Sequence, residues 1–312
     1  MRAAAGYRPS LVSAAALVLL AGYFTLYGGP PSADPQYSFY QVRLPRFLSA
    51  VLIGAALGLA GTLLQLATRN PLSEPELLGV NQSAVFCVVL LLLLGGGSPH
   101  PAFMLLAALL GGAVSGLAIL LMSASGAFPR ERLILAGLTM SFFFGSASSG
   151  LLLLNETNLF ELLHWTAGKL SGATWLDTVL VGGCLLPAGV VSFLRAGQWN
   201  VLLLGDDQAR GLGIDPVARR VEIVSLAVLL CAVCVAVAGP IGFVGIIVPH
   251  LASFMAGLDY RRRLPLILLM GAALVSVSDV LARTLLHPAE IPVGVLTALV
   301  GAPYFLYRAQ RL

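Results

Sequence analysis

Long apolar runs alternate with short polar breaks from one end of the chain to the other. About twenty apolar residues suffice for a helix to cross a hydrocarbon layer about 30 Å thick. The pattern predicts about ten such spans, near residues 10–27, 47–67, 78–94, 101–123, 132–154, 176–194, 221–238, 243–257, 264–286 and 292–307. The span near 243–257 is short. The breaks are too brief to hold a soluble domain. The expected fold is an all-α polytopic membrane protein, with one transmembrane domain over 1–312.

One apolar run is irregular. Gly239-Pro240-Ile241-Gly242-Phe243-Val244-Gly245-Ile246-Ile247-Val248-Pro249-His250 holds three glycines, two prolines and a histidine. Proline removes a backbone donor and glycine weakens a helix. Lipid cannot satisfy the freed backbone groups, so the run must be buried in protein or line an aqueous cavity. A passive anchor has no need of such a segment, whereas a transporter does. We read it as the tight turn between the seventh and eighth helices and the start of the eighth.

Composition agrees with the pattern: 58% of residues are hydrophobic and 10% charged, against about 25% charged in soluble chains. Basic residues set the expected orientation. With the N-terminus inside, 14 arginines (2, 8, 69, 130, 132, 195, 210, 219, 220, 261, 262, 263, 308 and 311) fall on the inner side, and only Arg43, Arg46, Lys169 and Arg283 outside. Both termini are therefore expected in the cytoplasm. The net charge of +4 reflects this topology and gives no reason to expect nucleic acid. Leu11 to Leu26 after Arg2 and Arg8 resembles a signal peptide, but many spans follow, so we read a retained first helix.

The chain is poor in catalytic material. Its single lysine, Lys169, follows Gly168, but Leu170 follows and Leu163 stands where a P-loop needs its first glycine. Histidines 100, 164, 250 and 287 are scattered. Cys231-Ala232-Val233-Cys234 has the spacing of a redox pair, yet both fit better as small apolar fillers on one helix face. No enzyme activity, cofactor or metal site is expected. Asp279 is the clearest intramembrane acid and has Arg283 one turn on, a structural i,i+4 pair. Proton-coupled carriers need relays of such acids, which weakens a stand-alone secondary transporter. His250 fits a structural role beside Pro249 better than a ligand role.

Four polar segments remain. Arg43-Leu44-Pro45-Arg46 lies outside, against the positive-inside bias, and forms with Arg283 a basic patch suited to acidic side chains of a partner. Arg69 to Val80 is a proline-stiffened inner turn. Gly54 and Gly58, and again Gly112 and Gly116, have the small-xxx-small spacing of closely packed membrane helices. The loop at 203–217 is the longest inner insertion. There Asp206 is expected to cap a short helix running to about Leu212, with Gly211 and Gly213 ending it.

These pieces resemble the permease subunits of FecCD-type, binding-protein-dependent ABC importers, which carry iron–siderophores, haem and vitamin B12. The likeness rests on Arg43-Leu-Pro-Arg46, Gln65 with Arg69-Asn-Pro-Leu72, Glu74-Pro75 with Leu78-Gly79-Val80, and Leu133 to Gly137. It continues through the Leu204 to Gly213 loop, Gly239 to His250, Glu290-Ile-Pro-Val-Gly294 and Gly301-Ala-Pro303. It implies the type II importer permease fold in a bacterial cytoplasmic membrane. A second permease, the same or related, would pair with this one. A cytoplasmic ABC ATPase dimer would bind below, and a periplasmic or lipid-anchored substrate-binding protein above.

The resemblance assigns Arg43, Arg46 and Arg283 to binding-protein docking, and Gly205, Ala209, Leu212 and Gly213 to ATPase coupling. It lines the path with Asn81, Gln82, Ser83, Thr139, Ser141, Met255 and Thr297. Arg130-Glu131-Arg132 falls at the family's inner gate but departs from the small hydroxyl residues of the vitamin B12 member. Glu290 is expected to cap the last helix. The cargo expected first is an iron–siderophore, with haem or vitamin B12 as alternatives.

Overall fold

The computed structural model describes residues 2–28, 34–74, 76, 79–95, 101–124, 130–153 and 165–309. The side chains of 130–132, and His100 and His164, lie outside that description. Helix α1 (Arg2–Tyr27) is followed by a short α2 (Pro35–Tyr37), which runs through a π-helical stretch (Ser38–Arg43) into α3 (Leu44–Thr68). Then come α4 (Val80–Gly95), α5 (Pro101–Ala124), α6 (Arg130–Leu153), α7 (Trp175–Leu202) and α8 (Asp206–Gly211). The order ends with α9 (Pro216–Ala238), α10 (Val244–Ala256), α11 (Tyr260–Thr284) and α12 (Val293–Ala309). No strand occurs among the described residues. Among the described residues seven segments are long and apolar enough to cross a membrane, and α4, α10 and α12 supply three shorter apolar helices. The ten spans expected from hydropathy correspond to these.

Three helices begin where a side-chain oxygen takes up an orphan N–H group. Asp215 accepts the Val217 N–H at 2.9 Å, with Pro216 in the first turn of α9. Asp259 accepts the Arg261 N–H at 3.1 Å at the start of α11. Thr174 and Asp177 form a reciprocal capping box on α7.

Helix α3 is the centre of the bundle, packed by α7, α9, α10 and α11. Its glycines make this possible. A Cβ on Gly54 would overlap the Gly271 backbone of α11, and one on Gly61 would overlap Gly245 of α10. The second glycine pair works alike, with Gly112 against Ala232 and Gly116 against Val228 of α9. Cys231 and Cys234 are buried in this packing.

Pro249 lies inside α10 and has no N–H for the Gly245 carbonyl four residues back. Gln65 of α3 replaces that donor: its Nε2 gives a hydrogen bond to Gly245 O at 3.0 Å. The Pro249 carbonyl in turn accepts from Arg263 Nη2 at 3.0 Å. Tyr260 Oη donates to Thr62 O at 2.7 Å, fixing α11 to α3. The irregular apolar run is thus buried in protein, with side chains of two other helices satisfying its backbone.

Residues 69–79 do not stay at the end of the bundle. Val80, where α4 starts, packs with Gly112 against Ala232, about 24 Å along α9 from Pro216 at a rise of about 1.5 Å per residue. Between Arg69 and Val80 the chain therefore climbs back inside, and this stretch is the strap that leads into α4. That is why α4 is only 16 residues long.

Gly61→Val is expected to destabilise the protein by about 1–3 kcal/mol through overpacking against α10. Gly189→Val, where a Cβ meets open space, should be near neutral. Gln65→Leu strands the buried Gly245 carbonyl and should cost about 1–3 kcal/mol. Thermal unfolding of the three variants in one detergent checks this order.

Candidate functional site

The arginines assigned to docking and the loop assigned to coupling lie at opposite ends of α3, and two of the seven path residues line a cleft between them.

At the Arg46 end, the three arginines are already occupied. Arg46 Nη1 and Nη2 donate to the two carboxylate oxygens of Glu290, each at 3.0 Å, and Nε donates to Asp279 Oδ1 at 3.0 Å. Arg283 lies 3.4 Å from the same Asp279 and donates to Thr25 Oγ1 at 2.8 Å. Arg43 Nη1 donates to the Leu26 carbonyl at 2.9 Å. Asp279 is 1% exposed and carries two guanidiniums, so the i,i+4 reading of Asp279 and Arg283 is borne out and extended. Glu290 does not cap α12. Its carboxylate closes a bidentate pair with Arg46 instead, and at 42% exposure it is the solvent-facing part of the clasp.

At the Arg69 end, the loop at 203–217 does form a short helix, α8. Asp206 does not cap it: the N-cap is Gly205, at φ 129°, with no side-chain bond. The Asp206 carboxylate is held by Arg69 at 2.8 Å and by Arg220 at 3.0 Å. Arg69 also donates to the Leu202 carbonyl at the end of α7. Ala209, on the inner side of α8, is fully buried and so shapes the knob without facing outward. Leu212 is 63% exposed, and Leu203 and Leu204 are exposed beside it. Gly213, at φ 76°, turns the chain toward α9. Sequence reasoning missed Leu203, Leu204 and Arg69. The apolar leucines in an otherwise polar loop were the available signal for the first two.

Between the ends, an open cleft of about 620 Å³ is lined by Glu76, Gln82, Ser141, Ser146, Ser149 and Phe142 among others. Ser141 Oγ donates to the Glu76 carbonyl at 3.0 Å, tying the strap to α6. The Glu76 carboxylate lies against Gly242. Glu74 is buried beside the Phe243 backbone. Phe243 itself has a positive φ of 67° and packs against Gly301 of α12.

Of the seven residues assigned to the path, Gln82 and Ser141 line this cleft. Thr139 is exposed on α6, bonded to the Leu135 carbonyl. Asn81, Ser83 and Thr297 are buried, with Ser83 bonded to Ser115 of α5 at 2.8 Å and Thr297 to the Gly294 carbonyl. Met255 packs against the main core. Glu76, Ser146 and Ser149 are cleft residues that the sequence did not single out. His250 stacks its ring 5.7 Å from Tyr304. Among the described residues no group of three His, Cys, Asp or Glu side chains is placed to hold a metal ion.

Known proteins give these features a context. The chain is 42% identical over 284 residues to the Fe(3+) dicitrate transport system permease protein FecC of Escherichia coli (strain K12), covering 89% of this chain and 84% of that one. It is 38% identical over 275 residues to the hemin transport system permease protein HmuU of Yersinia pestis, covering 86% and 82%. Its structure resembles that of an inward-facing, putative metal-chelate type ABC transporter, with a TM-score of 0.87, 31% identity and coverage of 98% and 100%. Residues 10–311 match the model of the FecCD transport family. A multi-pass helical membrane protein with this sequence order, this bundle and this span of likeness belongs to the FecCD transport family.

Proposed function

We propose that this chain is the permease subunit of an ABC importer that takes up an iron chelate, working as a single membrane domain. In this reading a binding protein delivers the cargo at the Arg46 end, and separate ATPase subunits drive transport from the Arg69 end in the cytoplasm. Both termini then face the cytoplasm. The observation that carries the reading is α8, a six-residue helix pinned by two arginine–aspartate pairs and flanked by the exposed Leu203, Leu204 and Leu212. A knob fixed so firmly to the bundle and so apolar outside suits a groove on another protein. The relatives named for iron citrate and hemin supply the cargo class.

The exposed face of α6, with Leu135, Phe142 and Phe143 outward, suits a second permease copy across the cleft. Gln82, Ser141, Ser146 and Ser149 then wall a path that offers hydroxyl and amide groups without a cation to grip the cargo. Hemin rather than an iron–siderophore is the second reading, favoured by the likeness to HmuU.

At the Arg46 end the binding protein has to compete. A docking carboxylate reaches Arg46 by displacing Glu290, the exposed partner, while Asp279 keeps its hold from below. Charge complementarity of this kind sets encounter rate and register.

Proteoliposomes holding the permease, its ATPase and its binding protein should accumulate labelled ferric chelate only with ATP. Uptake without any ATPase would overturn the importer reading, and uptake of labelled hemin alone would select the second. Glu290→Gln is expected to tighten binding-protein docking several-fold in a surface-immobilised permease assay, whereas Arg46→Ala strands two acids and should weaken both docking and folding. Leu212→Asp should lower ATPase co-purification by about tenfold, the effect of losing an interface anchor worth roughly 1.4 kcal/mol.

A further inference from the structure

Arg69 occupies an unusual position. It ends α3 in the left-handed region, at φ 52° and ψ 29°, a conformation that few non-glycine residues adopt. That twist lets one guanidinium reach both the last carbonyl of α7 and the first carboxylate of α8. Asp206 is thereby held jointly from the end of α3 and, through Arg220, from the start of α9. Charge-assisted bonds of this type are short and directional.

Beyond Arg69 the strap has little slack. Asn70 Oδ1 accepts the Leu72 N–H at 2.9 Å, and the Thr68 and Ser73 hydroxyls meet at 2.7 Å. Glu74 is buried beside the Phe243 backbone, and Glu76 is bound through its carbonyl to Ser141 and lies with its carboxylate on Gly242. Gly79 then packs so closely on Gly137 and Met140 of α6 that a side chain would not fit. Arg69, Asn70, Ser73, Glu76 and Gly79 are thus each held by a side-chain bond or a close backbone contact. Elastic loss along such a route is small, because closely packed protein shifts as discrete pieces.

We propose that Arg69 is a positioning residue that ties displacement of α8 to displacement of the cleft wall formed by Glu76, Gln82 and Ser141. When the ATPase moves α8, the Arg69–Asp206 pair draws the strap along, and the strap moves α6 and the Gly239–Phe243 turn. This rests on the reading of α8 as the ATPase contact and adds the route by which its motion reaches the path. Removing the guanidinium leaves the ATPase seated on α8 while the strap no longer follows.

The test is uptake per ATP hydrolysed, measured in proteoliposomes with the ATPase and the binding protein present. A merely structural defect lowers uptake and hydrolysis together and leaves that ratio unchanged. Arg69→Ala should reduce the ratio by about tenfold, within the usual range of coupling between sites, and Arg69→Lys should restore part of it. Asp206→Asn cuts the same link from the other side and should lower the ratio too. The double variant should be no worse than Asp206→Asn alone, as expected for residues acting through one contact.

If Arg69→Ala does not insert, Asp206→Asn carries the same test. A ratio within about twofold of the native one in the variant that assembles overturns the proposal, since that is below the usual coupling range. So does additivity in the double variant. Leu212→Asp separates this failure from failure of the underlying reading. If Leu212→Asp loses the ATPase while Arg69→Ala keeps its ratio, only the relay is wrong. If Leu212→Asp keeps the ATPase and full uptake, α8 is not the contact, and the relay falls with it.

Discussion

Every backbone group inside a bilayer must find its partner within the protein, and the contact between α3 and α10 is where this chain meets that demand. Pro249 leaves the Gly245 carbonyl without its helical donor, and Gln65 supplies one. The bond forms only because Gly61 lets the two backbones touch. A side chain at Gly61 would part the helices and leave a polar group stranded in an apolar interior. With α10 seated, its Pro249 carbonyl takes Arg263 of α11, and Tyr260 takes the Thr62 carbonyl of α3. Three helices are thus joined by hydrogen bonds that a broken helix made necessary.

The same logic organises the two ends. Each is held by an acid shared between two arginines, Asp279 with Arg46 and Arg283, and Asp206 with Arg69 and Arg220. Removing one partner from a pair shielded from water leaves a charge with no counter-ion, so such pairs resist being broken. The difference lies in exposure. Asp279 is buried below its arginines, whereas the second acid at that end, Glu290, reaches solvent. The Arg46 end therefore keeps a second, solvent-facing acid, while at the Arg69 end both arginines share the one acid, Asp206.

Much of the fold was legible in the sequence because membrane spans are written in one dimension. Runs of apolar residues, and glycines four apart at Gly54, Gly58, Gly112 and Gly116, declare themselves locally. The site was less legible because its pairings are long-range. Arg46 and Glu290 are 244 residues apart, and no spacing rule links them, so Glu290 was assigned to the nearest helix start. Asp206 was assigned to a helix cap for the same reason. Ser83 and Thr297 carry the small polar groups of a path residue, but helix rotation turns both inward. That rotation cannot be read from a span that is apolar on all sides. Glu76 was passed over because the segment after Arg69 reads as a surface turn, whereas it climbs into the bundle.

That climb bears on how the chain enters a membrane. Helix α4 has 16 residues and α10 has 13, about 24 and 20 Å in length, short of a hydrocarbon layer about 30 Å thick. Neither makes a self-sufficient membrane segment during synthesis. The strap that leads into α4 also brings two carboxylates, Glu74 and Glu76, which lie against the turn before α10, and the Glu76 backbone carbonyl, which takes Ser141 of α6. Those partners are made some 65 to 170 residues later. The first third of the protein therefore waits, incompletely satisfied, for the last third to arrive, and its assembly is a late closure of the whole bundle rather than a stepwise stacking of finished helices.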